Sequence, residues 1–249
     1  MNFFAGTDTG KVRKENEDHI FASGSPVGPL QNLFLVADGM GGYQGGEYAS
    51  RYVVEHLVRE IQNSQKTNPV SILNDAIQEA NRGLREEAHR NREFAEMGTT
   101  LVAATVEDGT LYIANIGDSR LYLLEDGITL RQITRDHSWV EEMVADGKIQ
   151  RNSASYWAKK NIITRAVGIE ETATADFFET DLKPGERILL CSDGLSNMVE
   201  DAEIQEILSR PESVEVLGQE LIEKGKEYGG RDNISVILVE PEPDEVSVC

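Results

Sequence analysis

Two apolar segments that each end in an aspartate followed by glycine constrain this chain more than any other feature. Leu33–Ala37 runs into Asp38, and Ile188–Cys191 runs, after one serine, into Asp193. Each segment has the length and composition of a buried strand, so each aspartate is expected at the rim of a sheet, where the chain turns. The pattern predicts a β-rich core whose strands deliver carboxylates to one region.

Three further acidic motifs are spread along the chain, and they are Glu17-Asp18, Gly117-Asp118-Ser119-Arg120 and Arg231-Asp232-Asn233. Several carboxylates without a histidine or cysteine cluster are the donor set that Mg²⁺ or Mn²⁺ prefers. Each motif alone is also an ordinary turn signal. Together they predict an acidic metal site.

Composition narrows the class of protein. The chain has 249 residues and a formal net charge of −20, which argues against binding nucleic acid or an anionic membrane through general electrostatics. No apolar stretch approaches the roughly 20 residues that span a bilayer, and no leader pattern opens the sequence. Two cysteines, Cys191 and Cys249, suggest no disulfide framework. We expect one domain in the cytoplasm.

Periodicity predicts the local structure. Amphipathic or helix-like segments are expected at Gln44–Gln62, from Pro69 onward, and at Trp139–Ala145, Asp201–Ser209 and Ser213–Glu227. Between Thr99 and Thr134, Asp108-Gly109 and Asp126-Gly127 are hairpin signals, which predict an antiparallel meander. Asn233–Glu240 is expected to be a closing strand.

Six blocks then carry a resemblance to a known family. In order they are Arg13-Lys14-Glu15-Asn16-Glu17-Asp18, Asp38-Gly39-Met40-Gly41-Gly42, Gly98-Thr99-Thr100, Gly117-Asp118-Ser119-Arg120, Ser192-Asp193-Gly194 and Gly230-Arg231-Asp232-Asn233. In this order and spacing the chain resembles the PPM-type (type 2C) metal-dependent serine/threonine protein phosphatases, most of all their compact bacterial branch. The resemblance covers nearly the whole chain.

The resemblance implies an α+β fold, a four-layer α/β/β/α sandwich of two antiparallel sheets flanked by pairs of antiparallel helices. It places a flap beside the active site, near residues 135–162. We expect a single phosphatase domain over residues 1–240. Residues 241–249 form an acidic, proline-containing tail that is expected to fray.

The resemblance also implies two bound Mn²⁺ or Mg²⁺ ions. Asp38 would bridge both ions, the Gly39 carbonyl would bind one of them, and Asp193 and Asp232 would complete the other. Asp118 resembles the aspartate of a third, weaker metal site. The alternative for Asp118, a turn aspartate beside a salt bridge of Arg120, stays open.

Further residues match family roles around the ions. Arg13 resembles the arginine that binds the phosphoryl group, and its alternative is an exposed surface charge. Asp18, more than Glu17, is expected to hold metal-bound waters, so the predicted catalytic set is Arg13, Asp18 and Asp38. Thr99 and Thr100 are expected to pack or hydrogen-bond beneath the site.

One position departs from many eukaryotic members of the family. Those members carry a histidine after the Asp-Gly pair, whereas this chain has Met40. A thioether cannot protonate a leaving alkoxide, so another group must do so. His137, the only histidine near the flap, is expected to order the flap rather than to act in catalysis.

The function that follows from the resemblance is hydrolysis of phosphoserine and phosphothreonine in proteins by a metal-bridging water. The partners would be phosphorylated proteins, including an opposing bacterial Ser/Thr kinase, with no nucleic acid or membrane partner, and the protein would be a monomer. The main alternative is a catalytically inactive, phosphoprotein-binding regulator of the same fold. A cysteine phosphatase built on Cys191 lacks a phosphate-binding arginine, and a dinucleotide-binding turn would need glycine where Gln44 stands.

Overall fold

The computed structural model describes residues 1–41, 45–91, 94–151 and 153–246. Its strands are β1 (Asn2–Asp8), β2 (Asp18–Ser23), β3 (Leu33–Met40), β4 (Gly98–Thr99), β5 (Leu101–Glu107), β6 (Thr110–Ile116), β7 (Arg120–Glu125), β8 (Thr129–Gln132), β9 (Asp176–Asp181), β10 (Arg187–Cys191) and β11 (Ile234–Glu240). Its helices are α1 (Gly45–Asn63), α2 (Pro69–Arg90), α3 (Trp139–Ala145), α4 (Ala154–Trp157), α5 (Asp193–Ser196), α6 (Asp201–Leu208), α7 (Val214–Glu227) and α8 (Pro243–Val246). Gly42 of the second block, the predicted helix start at Gln44, and residues 247–249 with Cys249 lie outside the described residues.

The strands form two antiparallel sheets. The first sheet has the order β1-β11-β10-β7-β8, and the second has the order β2-β3-β5-β6-β9, with β4 paired to β3. Helices α1 and α2 pack on the second sheet, and α6 and α7 pack on the first. The predicted α+β sandwich is confirmed.

The sandwich contains three apolar layers, one between the sheets and one beneath each helix pair. Strand β3 shows why its sequence is apolar throughout: Leu33 and Leu35 face the helices, whereas Phe34 and Val36 face the other sheet. A strand buried on both faces has no polar side, so its sequence does not alternate. The layer between the sheets leads to the site described below.

The two predicted hairpins are present. Asp108 and Asp126 have φ angles of 49° and 52°, and the glycine after each also has a positive φ angle, as in a type I′ turn. The first hairpin has a two-residue loop, and the second has a three-residue loop that ends at Ile128. The prediction of one meander is wrong, however. The β5–β6 hairpin belongs to one sheet and the β7–β8 hairpin to the other, because the chain crosses between the sheets at residues 117–119.

The tail also differs from its prediction. Val246, in α8, is 3% exposed and packs into the layer between the sheets, and the amino group of Met1 lies 3.3 Å from the Glu245 carboxylate. Fraying is therefore wrong for residues 243–246, because an apolar side chain closes this end of the core. Among the described residues, no helix combines the length and the apolar character that crossing a bilayer requires.

Candidate metal centre

The candidate site lies where the apolar layer between the sheets gives way to carboxylates. Ile20 on β2 and Val36 on β3 both belong to this layer. Side chains two residues apart lie on the same face of a strand, so Asp18 and Asp38 continue the same faces by one further step. The strand pattern itself therefore aims both carboxylates toward the opposite sheet.

Asp18 and Asp38 are direct partners in the antiparallel pairing of β2 and β3. The Oδ2 atom of Asp18 accepts hydrogen bonds from the hydroxyls of Ser192 and Ser235, each at 2.7 Å. Both serines belong to the first sheet or its rim, so Asp18 joins the two sheets. Its other oxygen, Oδ1, is buried and has no hydrogen-bond partner.

Strand β3 does not end at Asp38, because Gly39 and the following methionine pair with β4. The Asp38 N–H donates to Thr100 Oγ1 at 2.9 Å, and Thr99 Oγ1 donates to the Asp38 carbonyl at 2.9 Å. The prediction that both threonines hydrogen-bond beneath the site is confirmed. They fix the backbone that carries the central aspartate.

Gly39 lies in a space that has no room for a side chain. A Cβ atom there would collide with the Gly46 carbonyl oxygen and would lie 2.6 Å from the Glu17 carbonyl oxygen. The Gly39 N–H donates to that Glu17 carbonyl at 3.0 Å. Three backbone segments thus converge at the position where the sequence predicts a carbonyl ligand.

Asp193 and Asp232 reach the same region from the first sheet. Asp193 is the first residue of α5, immediately beyond β10, and Asn197 Nδ2 donates to its Oδ2 at 2.8 Å. The Asn233 N–H donates to Asp232 Oδ1 at 2.9 Å. The backbone N–H of Asn233 therefore holds one carboxylate oxygen of Asp232.

The side chain of Asn233 also ties down the segment between β1 and β2. Its Nδ2 donates to the carbonyls of Thr9 and Glu15, at 3.0 and 2.9 Å, and its Oδ1 accepts from the Glu17 N–H at 2.8 Å. An amide that makes three such bonds has a fixed orientation. The segment that carries Arg13 is held against the end of β11 in this way.

Arg13 is at the rim of the cluster. Its guanidinium donates to Asp232 Oδ2 at 2.8 Å and to Glu17 Oε2 at 3.3 Å, while 45% of its side chain is exposed. Desolvation acts to lower its pKa, but the carboxylates of Asp232, Glu17 and Asp38 outweigh this and raise the pKa. Arg13 is therefore a site cation rather than an isolated surface charge.

The carboxylates of the cluster repel one another. Burial, followed by the charges of Asp18 and Asp193, raises the pKa of Asp38 well above its ordinary value. Burial is also the main reason that the pKa of Asp18 rises to about 7, despite its two hydroxyl donors. The pKa of Asp193 is raised by burial and by Asp232, and that of Asp118 is raised to about 8 by burial and Asp193.

The donor set fits a hard divalent cation. The buried Oδ1 atom of Asp18 lacks a hydrogen-bond partner, and the buried carboxylates raise one another's pKa because few positive charges lie near them. A divalent cation would supply the missing positive charge and bind such oxygens. Within residues 1–41, 45–91, 94–151 and 153–246, no three His, Cys, Asp or Glu side chains are grouped so that they could hold a metal ion by themselves. Ions that retain several waters, as Mg²⁺ does, need no such group of protein ligands.

Asp118 belongs to the cluster rather than to an ion pair with Arg120. The buried Arg120 guanidinium donates to both carboxylate oxygens of Asp136 and to the Tyr122 hydroxyl. Asp118 instead acts electrostatically on Asp38. This arrangement disfavours the alternative that was left open for Asp118.

An open cleft of about 1060 Å³ lies beside the cluster. One wall is formed by the flap, including Glu141 and Tyr156, and the other by the residues around α5 and the start of α6. Asn197, the hydrogen-bond partner of Asp193, lines it. The carboxylates of the cluster do not themselves line the cleft, and Asn197 connects it to Asp193.

Sequence reasoning missed Ser192 and Ser235, which hold Asp18. Two signals could have identified them. Ser192 directly precedes a predicted ligand, and Ser235 continues the face of β11 on which Ile237 and Val239 contact the layer between the sheets. A serine on the buried face of a strand, at the end of the sheet that carries the aspartates, is expected to hydrogen-bond to a protein group rather than to solvent.

Comparison with known proteins agrees with this fold. The model of the family described as "Protein phosphatase 2C" matches residues 5–235. The serine/threonine phosphatase stp of Listeria innocua is 38% identical over 244 residues, which are 94% of this chain and 93% of that protein. The chain therefore belongs to the protein phosphatase 2C family.

Solved structures agree with that assignment. The Mycobacterium tuberculosis serine/threonine phosphatase PstP/Ppp has a TM-score of 0.87 and 34% identity, covering 97% of this chain and 98% of that one. The catalytic domain of the serine threonine protein phosphatase PstP in complex with two manganese ions has a TM-score of 0.83 and 34% identity, covering 95% and 96%. These are structures to which the chain is similar throughout its length.

Proposed function

We propose that the aspartate cluster is the catalytic centre of a phosphatase that acts on phosphoserine and phosphothreonine in proteins. Membership of its family makes the chain a metal-dependent protein serine/threonine phosphatase. The observation that carries the assignment of the site is the convergence of carboxylates from both sheets around the unpartnered Oδ1 of Asp18. A purely structural role does not require so many buried carboxylates that repel one another.

The ligand assignment is part of the proposal. Asp38 and the carbonyl of Gly39 would hold one divalent ion, and Asp38, Asp193 and Asp232 would hold a second. The PstP structure with two manganese ions supports this number. Bound there, divalent ions supply a nucleophilic water of lowered pKa and stabilise charge on the phosphoryl oxygens. Asp118 would serve a third, weaker site.

Arg13 would bind the phosphoryl group of the substrate. Its guanidinium is half-exposed at the rim and is held by Asp232 and Glu17. Asp232 cannot be fully engaged both as an ion ligand and as the partner of Arg13, so the guanidinium would turn to two phosphoryl oxygens, which match its planar geometry. Asp18, fixed by two hydroxyls, would orient the ordered waters of the site.

Neither Met40 nor His137 would protonate the leaving alkoxide. A thioether has no proton to give. The His137 ring is buried and both of its nitrogens are engaged by protein groups. The proton would come from a water of the site.

The proposal extends to partners and location. Substrates would be phosphoproteins, including a bacterial Ser/Thr kinase that this phosphatase opposes, and the protein would act as a cytoplasmic monomer. Cys191 is a free, buried thiol, as expected in a reducing compartment. The competing possibility, an inactive regulator that binds phosphoproteins, is disfavoured because every predicted acidic ligand is present.

Turnover of a phosphothreonine peptide by metal-stripped protein tests the proposal. We expect no turnover without metal, recovery with Mn²⁺ or Mg²⁺, and little with Ca²⁺. Asp38→Ala should abolish turnover while the fold is retained. Asp75→Ala is the matched control, because Asp75 is an exposed aspartate on α2, and it should behave as the wild type. Binding of phosphoprotein without turnover at any metal concentration would instead identify the regulator.

A further inference from the structure

Gly117, the residue before Asp118, is held at two points by one histidine. Its N–H donates to Nδ1 of His137 at 3.1 Å, and its carbonyl accepts the backbone N–H of His137 at 2.9 Å. Gly117 has a φ angle of 102°, which residues other than glycine rarely adopt. The direction in which Asp118 leaves this turn therefore depends on a conformation that His137 fixes.

These contacts determine the tautomer of His137. A backbone N–H can only donate, so Nδ1 must be the accepting nitrogen and the proton of the neutral ring must be on Nε2. Nε2 lies 3.1 Å from Asp176 Oδ2, to which it can donate, and 3.3 Å from Nη1 of Arg165. A guanidinium can only donate, so the Arg165 contact is not a hydrogen bond to a protonated Nε2. Arg165 donates instead to the other oxygen of Asp176 at 2.9 Å. Burial lowers the pKa of His137, in keeping with a neutral ring. The carboxylate holds the ring in the tautomer that Gly117 needs.

His137 also belongs to the base of the flap, where the segment His137-Ser138 pairs with Ile163-Thr164. Its carbonyl accepts the Thr164 N–H at 2.8 Å, and the next residue, Ser138, bridges to Ile163. The ring thus connects two structures, the base of the flap and the turn that carries Asp118. Only 5% of the His137 side chain is exposed, whereas 37% of the Asp176 side chain is exposed. The hydrogen bond between His137 and Gly117 is therefore more deeply buried than the contact between His137 and Asp176.

We propose that His137 is a positioning residue for Asp118, and that it couples the position of the Asp118 carboxylate to that of the base of the flap. The inference rests on the proposed function for its effect on catalysis, but the contact itself does not. Without an acceptor at Nδ1, the buried Gly117 N–H would be left unpaired, which is unfavourable enough to make the turn reorient. Asp118 would then leave the position from which it acts on the cluster.

Two amide substitutions test the two ring nitrogens of His137 separately, because each keeps a polar atom at the position of one nitrogen only. In His137→Asn the side-chain oxygen can stand where Nδ1 stood and still accept from Gly117, whereas in His137→Gln the amide reaches the position of Nε2 and leaves Gly117 unpaired. We expect His137→Gln to lower kcat about 10- to 100-fold, the usual effect of removing a group that orients a metal ligand. KM should be unchanged, and His137→Asn should retain most of the activity. His56→Gln, on α1 and in contact with the Tyr52 carbonyl, is the matched control.

A double-mutant cycle shows whether the effect passes through Asp118. If it does, His137→Gln combined with Asp118→Asn should be no slower than Asp118→Asn alone. Losses that multiply in the double variant, or a His137→Asn variant as slow as His137→Gln, would overturn the proposal.

Hydrogen exchange at the Gly117 amide provides a readout independent of turnover and of added metal. The amide should be protected in the wild type and in His137→Asn, and should exchange at least about tenfold faster in His137→Gln. If His137→Gln does not fold, exchange in the wild type still tests the proposal, because an unprotected Gly117 amide would refute the hydrogen bond to His137. If the wild type hydrolyses no phosphopeptide, the proposed function fails, whereas the exchange rates still test the role of His137.

Discussion

Replacing Asp18 with asparagine should stabilise the metal-stripped protein while it impairs the enzyme. Asp18 is buried, with one oxygen held by two hydroxyls and the other unpartnered. Asparagine has nearly the same shape and removes the charge that burial and the neighbouring aspartates penalise. The rise in the pKa of Asp18 from 3.8 to about 7 corresponds to about 4 kcal/mol, at about 1.4 kcal/mol for each tenfold change in proton affinity.

The sign and the pH range follow from proton linkage. In the unfolded chain Asp18 loses its proton near pH 3.8, whereas in the folded protein it keeps the proton until about pH 7. Between these values the folded state binds more protons, so the free energy of unfolding falls as the pH rises. The variant lacks this contribution. Its advantage should be near zero at about pH 4 and should reach about 4 kcal/mol at about pH 7 and above.

Urea unfolding of both proteins in the presence of a chelator, at several pH values from 4 to 8, measures this difference. Adding Mn²⁺ to the same titrations should favour the wild type, because a cation compensates the charge that Asp18 contributes and stabilises the state that binds it. A difference that does not change with pH, or a wild type that is the more stable protein at pH 8 without metal, would refute the reasoning.

Three further perturbations have definite expected outcomes. Gly39→Ala should lower the free energy of unfolding by about 3 kcal/mol and abolish turnover, because a Cβ atom collides with the Gly46 carbonyl; thermal melting and a phosphopeptide assay check this, and a stable, active variant would contradict it. Arg120→Ala should lower the free energy of unfolding, measured in urea, by about 3–5 kcal/mol, because it leaves Asp136 buried without its ion-pair partner. A decrease below about 1 kcal/mol would contradict this and would mean that solvent already stabilises the Asp136 carboxylate. Iodoacetamide should leave the native enzyme active and Cys191 unmodified by mass spectrometry, since burial raises the pKa of its thiol to about 12; inactivation that follows modification of Cys191 would revive the cysteine chemistry.

The strands and the acids at their ends could be predicted from the sequence pattern, because strand burial and turn residues are local properties, whereas the sandwich was predicted from the family resemblance. It could not show that Asp18 stands opposite Asp38, since strand register depends on pairing between distant segments. The partner of Arg120 was uncertain for the same reason: Asp118 is nearer in sequence, but Asp136 is nearer in space. The crossing between sheets was missed because a turn signal does not specify which sheet the next strand joins.

The bonds that fix Asp18 have a consequence for how activity arises during synthesis. Asp18 is separated from Ser192 by 174 residues and from Ser235 by 217, so the site is made from both ends of the chain. Contacts of such separation form only when most of the chain is available to fold. A chain whose β11 is still within the ribosome therefore cannot assemble the proposed phosphatase site. If that site is the catalytic one, we expect catalysis to begin only after β11 has been translated and inserted between β1 and β10.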